Sequence, residues 1–504
     1  MSRREALAFV LLVLGMLGSL VYFVHGWYAA TNDGAMYILT GRSLLAGEGY
    51  SMLGQPFLIR PPAFSAMLVP ILALWDGTQE LFYWINLYVS LWGVAGCALF
   101  YFVVRARLGA LVAFCCVLAL WLNPGYQTLC NQPMSDVPGT TLLFACLLLE
   151  RWTNRRPSLR NDLLLGVFIG LSAYVRSVDL LLMPAILGVR FLDRFWPAKT
   201  RVESESGPES AKHYWGRTLL LGLGTLLIML PWNLRNAANE PTQPTDQVLL
   251  ASYGGGMWHT DQGDLSSPRV STQEILERVP KQWEKSVDTL GTRLMRVGSE
   301  GWVYPIAMFF LIALGVVFLK RRESAELFCI GSLLVIVVYF GFATRLLLPI
   351  YALALPAAAE LIRDTIDLVR SKLGQPVAAL GLLALAAWDF EPEFLWAEVQ
   401  HEHTRLGMAA TRIEAWSEPD AVLASGRAWH LGVLLKRPVY ALEFTWLRHR
   451  RPEELEQLIE RYGINTVVLT AWEARDRMLA NQYIDERYGA AKKSDAYVSV
   501  YRVR

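Results

Sequence analysis

The sequence predicts a mainly α fold: a polytopic bundle of about eleven transmembrane helices followed by a small extracytoplasmic α/β domain. Three observations lead there. Apolar residues come in long blocks, with 54% hydrophobic residues, 18% charged residues and a mean hydropathy of +0.30, whereas average globular chains carry about 25% charge. Basic residues gather between alternate blocks. From residue 389 onward the pattern changes to short β-branched runs around an amphipathic stripe.

These features exclude other classes. A single soluble core stops growing at about 250–300 residues, and this chain has 504. Disorder does not fit a net charge of +2 with 12% aromatic residues. No basic tract suggests nucleic acid. Five of the six cysteines (Cys97, Cys115, Cys116, Cys146 and Cys329) lie in apolar blocks, and Cys130 lies in a predicted loop. No CxxC pair occurs, so the cysteines read as small hydrophobes rather than disulfides or zinc ligands.

The first block, Ala6 to Tyr28, follows Arg3 and Arg4 and is too long for a signal peptide, so it predicts an uncleaved span. Gly26, Trp27 and Tyr28 at its end read as an aromatic interface anchor. Further spans are predicted at 80–104, 108–122, 137–150, 162–175, 178–195, 218–234, 302–319, 327–343, 346–362 and 375–388. The short block 62–75 opens on two prolines and is ambiguous by length alone.

Charge resolves the ambiguity, because Lys and Arg favour the cytoplasmic side of short loops. With 62–75 in the outer interface, the inner segments collect Arg3 and Arg4; Arg105 and Arg107; Arg151, Arg155, Arg156 and Arg160; Arg190, Arg194, Lys199, Arg201, Lys212 and Arg217; Lys320 to Arg322; and Arg363, Arg370 and Lys372. If 62–75 spanned, every later basic loop would move outside. The N-terminus is therefore expected in the cytoplasm and the C-terminus outside. Three segments are external: 29–79; 236–301, with Gly254 to Gly256; and 389–504. Two domains follow, a membrane domain over 1–388 and an α/β domain over 389–504. In the latter, Ala421–Ala424, Val439–Phe444, Thr466–Thr470 and Tyr497–Val503 read as strands. Leu455, Leu458, Ile459 and Tyr462 form a helical stripe.

Charges near a membrane are costly and often functional. On the predicted outer side they stand at span ends: Asp33, Arg60, Asp136, Arg176, Asp179, Arg235 and Arg345. Each has a plain structural reading. Asn32 and Asp33 could cap a helix starting at Gly34, and Asp136 could cap the fourth span. Arg60 could snorkel to headgroups, and Arg176 and Arg345 could pair with Asp179, Asp136 or headgroups. As a group they fit a phosphate-bearing ligand. Guanidinium forks bind phosphate oxygens and stay charged, and a nearby carboxylate can accept a proton from an attacking hydroxyl.

The ordered series "Y…GR.LLAGEGY" behind Asp33, Arg60 before "PP", Asp136 opening a span, "AYVRSVDLLLMP", "LPWNLRN" and "TRLLLP" resembles the GT-C superfamily of polyprenyl-phosphate-sugar-dependent glycosyltransferases. Within it, the chain resembles the protein O-mannosyltransferase and lipid A aminoarabinose transferase types. The resemblance implies a helical bundle with an external active site, and the lack of an N-x-S/T acceptor site and of a eukaryotic sorting signal points to an inner (plasma) membrane. The resemblance places the catalytic acid on Asp33 and a second acid on Asp136. It places donor-phosphate contacts on Arg60 and Arg345, and the cluster of outer-face charges adds Arg176 as a further candidate phosphate ligand. The implied partners are a polyprenyl-phosphate-linked sugar, the bilayer and a hydroxyl acceptor. The chain departs from many relatives where Gly34 replaces a second acid and Arg60 replaces a lysine. A divalent metal serves some relatives. Here no ligand set is legible, and His259 is the best single candidate. His401 and His403 read as a solvated helix face. The competing readings are a transporter or flippase of a lipid-linked saccharide and a membrane-anchored binding protein working through 389–504.

Overall fold

A computed structural model describes residues 1–195, 211–239, 258, 268–294, 300–338, 344–369, 373–388, 394–442, 452–470, 484–495 and 497–503. Gly254 to Gly256, His259, Lys199, Arg201, Arg370 and Lys372 lie outside the described residues.

Helices dominate. In chain order they are α1 (Arg3–Phe23), α2 (Asn32–Leu45), α3 (Ala63–Trp75), α4 (Leu81–Trp121), α5 (Pro124–Cys130), α6 (Asp136–Arg155), α7 (Leu159–Val175), α8 (Leu182–Phe195) and α9 (Ala211–Asn239). Then come α10 (Thr272–Thr289), α11 (Glu300–Arg321), α12 (Ser324–Val338), α13 (Leu348–Val369), α14 (Gly374–Trp388), α15 (Phe394–Trp416), α16 (Ala428–Leu435) and α17 (Pro452–Tyr462). Among the described residues, five helices are long and apolar enough to cross a membrane: Arg3–Phe23, Leu81–Trp121, His213–Asn239, Gly301–Arg321 and Arg345–Val369. The chain groups into two compact units, one of residues 1–25, 86–234 and 271–392 and the other of residues 26–85, 235–270 and 393–504.

The first unit holds most of the long apolar helices. α4 covers two predicted spans and breaks at Gly109, whose φ of 84° suits a residue without Cβ. α7 and α9 pack at backbone distance. A Cβ on Gly166 would stand 2.1 Å from the Leu221 carbonyl oxygen, and one on Gly170 would stand 2.7 Å from Ile228 Cβ. Thr225 Oγ1 donates to the Gly166 carbonyl there at 3.0 Å. Small residues that admit close backbone approach are a standard device of membrane helix packing.

Several basic residues counted in the topology argument meet in this unit. Glu360, fully buried, accepts from Arg107 Nε at 2.5 Å, Arg321 Nε at 2.6 Å and Lys320 Nζ at 3.1 Å. Arg107 also pairs with Glu326. Arg190 and Arg217 share Asp162. Buried charges persist only when paired, so the arginines that mark these loops also lock the helix ends together.

Three local expectations change. α1 ends at Phe23, with Val24 extended as its C-cap, so the apolar block is not one helix to residue 28. Tyr28 is no interface anchor: it is fully buried and stacks on Phe82 at 4.7 Å. Cys130 is not in a loop but ends α5, buried like the other five free cysteines. In addition, 272–289, read as plain external segment, forms α10, opened by a capping box between Ser271 and Glu274.

The second unit contains a five-stranded sheet in the order β4-β3-β5-β7-β6. Its strands are β3 (Leu423–Ser425), β4 (Val439–Ala441), β5 (Thr466–Thr470), β6 (Lys493–Ser494) and β7 (Val498–Arg502). β3 pairs in parallel with β4 and β5, and β7 runs antiparallel to β5 and β6. The sequence stripe became α17, whose Leu455, Leu458 and Ile459 are buried beside Val467, Leu469 and Tyr501. Each such side chain contributes about 1.5–3 kcal/mol as an upper estimate. Glu443 and Phe444, the end of one expected strand, lie outside the described residues. The same unit holds α2, α3 and a hairpin of β1 (Ser51–Met52) and β2 (Gln55–Pro56). That hairpin turns through Leu53 and Gly54, both at positive φ, as a two-residue primed turn requires.

Candidate functional site

The second unit brings Asp33 and Arg60 together. Thr31 is the N-cap of α2, and its Oγ1 accepts the Gly34 amide at 3.1 Å. The cap is thus Thr31 rather than Asn32 or Asp33, and the helix starts two residues before Gly34. Asp33 sits in the first turn, where the helix dipole favours a carboxylate. Arg60 Nη2 donates to Asp33 Oδ2 at 2.7 Å, with both side chains largely but not wholly buried. A guanidinium and a carboxylate meeting at a partly open surface form a charge-assisted pair that an incoming anion can compete for.

The loop carrying Arg60 is anchored from several directions. Tyr50 Oη donates to the Arg60 carbonyl at 2.9 Å and to the Pro61 carbonyl at 3.3 Å. Burial pushes this phenol above its ordinary value, so it remains a proton donor. Tyr50 packs edge-on to Phe57 at 5.5 Å. Arg235 donates to the Tyr50 and Phe57 carbonyls at 2.7 and 2.9 Å, and Asn236 Nδ2 donates to the Leu58 carbonyl at 3.2 Å.

α2 is tied to the C-terminal α/β segment by Arg42. It makes a forked pair with Asp76, with Nη2 to Oδ1 at 2.6 Å and Nε to Oδ1 at 3.0 Å. Its Nη1 donates to the Val433 and Gly432 carbonyls at 2.9 and 3.3 Å, in the last turn of α16. Cations suit that helix end. Tyr28 adds a second tie, its Oη lying 3.1 Å from His430 Nδ1 and its amide donating to His403 Nδ1 at 3.1 Å. His403 is therefore a half-buried acceptor and not part of a solvated face, whereas His401 is exposed.

Burial holds His403 below its ordinary value and brings His430 down to about 3. The native form is the neutral ring, so protonation favours the unfolded chain. His430's contribution is complete above about pH 6.5 and is lost as the pH falls toward 3. Between pH 6.5 and 5 the loss amounts to about 2 kcal/mol. Thermal midpoints of the purified protein at pH 7.5 and 5.0 should show this drop, and His430→Leu should shrink it. An equal drop in both proteins would exclude His430 as its source.

The first unit brings together the other candidates. Asp136, in the first turn of α6, pairs through Oδ1 with Arg176 Nη2 at 2.9 Å. Ser135, not Asp136, is the cap residue there. Arg176 ends α7 in an extended conformation, donates to the Asp136 carbonyl at 3.3 Å and reaches the Arg345 carbonyl at 3.1 Å. Gly139 makes room for it: a Cβ there would stand 2.6 Å from Arg176 Cβ. Arg345 Nη1 lies 3.5 Å from Met134 Sδ. Asp179 accepts from Ser172 Oγ at 2.6 Å, and the acid that Arg176 pairs with is Asp136. Among the described residues no three His, Cys, Asp or Glu side chains converge as a metal would require, and the cation beside Asp33 is Arg60. His259 lies outside those residues.

No protein-family model matches the sequence, and no curated protein matches it. Solved structures do. ArnT from Cupriavidus metallidurans bound to undecaprenyl phosphate aligns over 99% of this chain and 98% of its own, with a TM-score of 0.61 at 14% identity. The same protein in the apo state gives 0.57 at 14% identity over 98% of both chains. The chain has the GT-C fold. An oligosaccharyltransferase from Archaeoglobus fulgidus, AglB, in complex with an inhibitory peptide and a dolichol-phosphate, aligns over 97% of this chain and 73% of its own, with a TM-score of 0.53 at 10% identity. The expected GT-C architecture is thus met at the level of the fold, at 10–14% identity.

Sequence reading singled out Asp33, Arg60, Asp136, Arg176 and Arg345 and offered Asp136 as one partner for Arg176, the pair that the structure forms, but it did not pair Asp33 with Arg60. It assigned no role to Tyr50, although Tyr50 closes the quoted "GEGY" motif. It also overlooked Arg42 in "GR", the one basic residue of α2, whose charge was the available signal.

Proposed function

We propose that this chain is an integral membrane glycosyltransferase that moves a monosaccharide from a polyprenyl-phosphate donor to an extracytoplasmic hydroxyl, with inversion. The observation that carries the reading is the Asp33–Arg60 pair at 2.7 Å, a base and a phosphate-binding fork in contact on one partly open surface. Arg60 leaves Asp33 for the donor phosphate. Asp33 takes the proton of the acceptor hydroxyl as its oxygen bonds to the anomeric carbon. The bond from that carbon to the phosphate oxygen breaks, and its electron pair stays on the phosphate beside Arg60.

In this reading Asp136 and Arg176 act as a buried pair that positions the Arg345 segment, and Arg345 supplies a second contact to phosphate. The finer topology belongs to the same proposal: about eleven spans, the N-terminus in the cytoplasm, and 389–504 as an extracytoplasmic domain following a membrane domain over 1–388. ArnT and AglB of like fold are named with polyprenyl phosphates bound, and AglB is named a transferase, which weighs for transfer over translocation of a lipid-linked saccharide. The test is mass spectrometry of lipids that copurify with the full chain, followed by incubation with a lipid-linked sugar and a hydroxyl acceptor. A bound polyprenyl phosphate and a new glycoside are expected. Lipid movement between leaflets with no covalent product would overturn the proposal.

A further inference from the structure

We infer that Arg235 and Tyr50 form a strut that sets the position of Arg60, making Arg235 a positioning residue of the donor-phosphate site. The inference rests on the reading of Arg60 as a phosphate ligand. Arg235 stands near the end of α9, far from Arg60 in sequence, in a motif whose charge the proposed chemistry does not use. Its two terminal nitrogens each take one backbone carbonyl of the Arg60 loop, Tyr50 at 2.7 Å and Phe57 at 2.9 Å. Its guanidinium carbon lies 5.6 Å from the centre of the Tyr50 ring, within range for a cation–π contact. The Tyr50 hydroxyl then donates to the carbonyls of Arg60 and Pro61. The chain of contacts runs from Arg235 through Tyr50 to the Arg60 backbone, and the Arg60 side chain reaches Asp33.

The geometry favours arginine over lysine. A planar fork can hold two carbonyls and cover an aromatic face at once, whereas an ammonium is a point donor. Phe57 and Leu58 are buried, so the carbonyls that Arg235 serves belong to a fixed stretch rather than a free loop. A strut of this kind lowers the ordering cost of binding, because Arg60 is already in place when the phosphate arrives.

Two measurements on the full-length protein test this. Hydrogen–deuterium exchange of the ligand-free chain should show faster exchange confined to residues 50–61 in Arg235→Ala, with Tyr50→Phe giving a smaller effect in the same segment. Unchanged exchange there would overturn the strut whatever the ligand is. The second is a double-mutant cycle on undecaprenyl phosphate affinity. Arg235→Ala should weaken binding about tenfold in the wild-type background and no more than about twofold on top of Arg60→Ala, because the strut acts through Arg60. An equal loss in both backgrounds would mark Arg235 as generally structural and sink the inference. Should Arg235→Ala fail to fold, Tyr50→Phe replaces it in the same cycle. Arg235→Lys should restore less than half of the lost affinity. Absence of lipid binding by the wild type would instead defeat the phosphate reading, with the exchange result still deciding the strut.

Discussion

Replacing Asp33 by Asn is expected to reduce transfer about 10²–10⁴-fold while leaving lipid-phosphate binding in place. The substitution keeps the shape of the side chain and can still hydrogen-bond, but it cannot take a proton. Thr31 supplies the helix cap, so the change leaves the start of α2 intact. It also releases Arg60 from an ionic partner at 2.7 Å, so undecaprenyl phosphate should bind as tightly as before or more so. Single-turnover transfer from a lipid-linked sugar, measured beside lipid affinity, separates the two effects. Undiminished transfer would remove Asp33 as the base. Loss of both transfer and binding would make it a binding residue instead.

Arg60→Ala should do the reverse, weakening undecaprenyl phosphate binding by about 10- to 100-fold, the range expected for charge-assisted hydrogen bonds. Arg60→Lys keeps the charge and loses the fork, so it should fall between the two. The affinity should also decline with added salt in the wild type and decline less in Arg60→Ala, because the pair lies partly open to solvent. Binding by Arg60→Ala at wild-type strength would assign the phosphate to other cations, with Arg345 the next to substitute.

How much of this was legible in the sequence differs from residue to residue. Asp33 and Arg60 could be picked out because a charge in apolar surroundings needs a reason, and the motifs around them are continuous. Their pairing could not, because the hairpin that folds one back on the other turns on Leu53 and Gly54, and leucine gives no hint of positive φ. The α17 stripe was plain from its spacing. α16 was missed because "AWHLGVLL" is short and, His430 apart, apolar, leaving no period to read. β6, only Lys493 and Ser494, has no pattern at all and exists because β7 offers it an edge. Tyr28 was taken for a membrane anchor because an aromatic after an apolar block usually is one. What buries it are Phe82, His403 and His430, and two of these come from the far end of the numbering.

The second unit is discontinuous in the chain, and this has a consequence for biosynthesis. Asp33 and Arg60 emerge early from the ribosome, but Arg235 follows only after the helices of 86–234, and Val433 and His430 follow later still. Local contacts cannot complete this unit. It must wait for partners distant in sequence, as high-contact-order folds do. A nascent chain halted in the middle of translation would carry the acid and the arginine without the groups that fix them. This order of assembly delays the fixing of the Asp33–Arg60 pair until the later segments of the unit have been made.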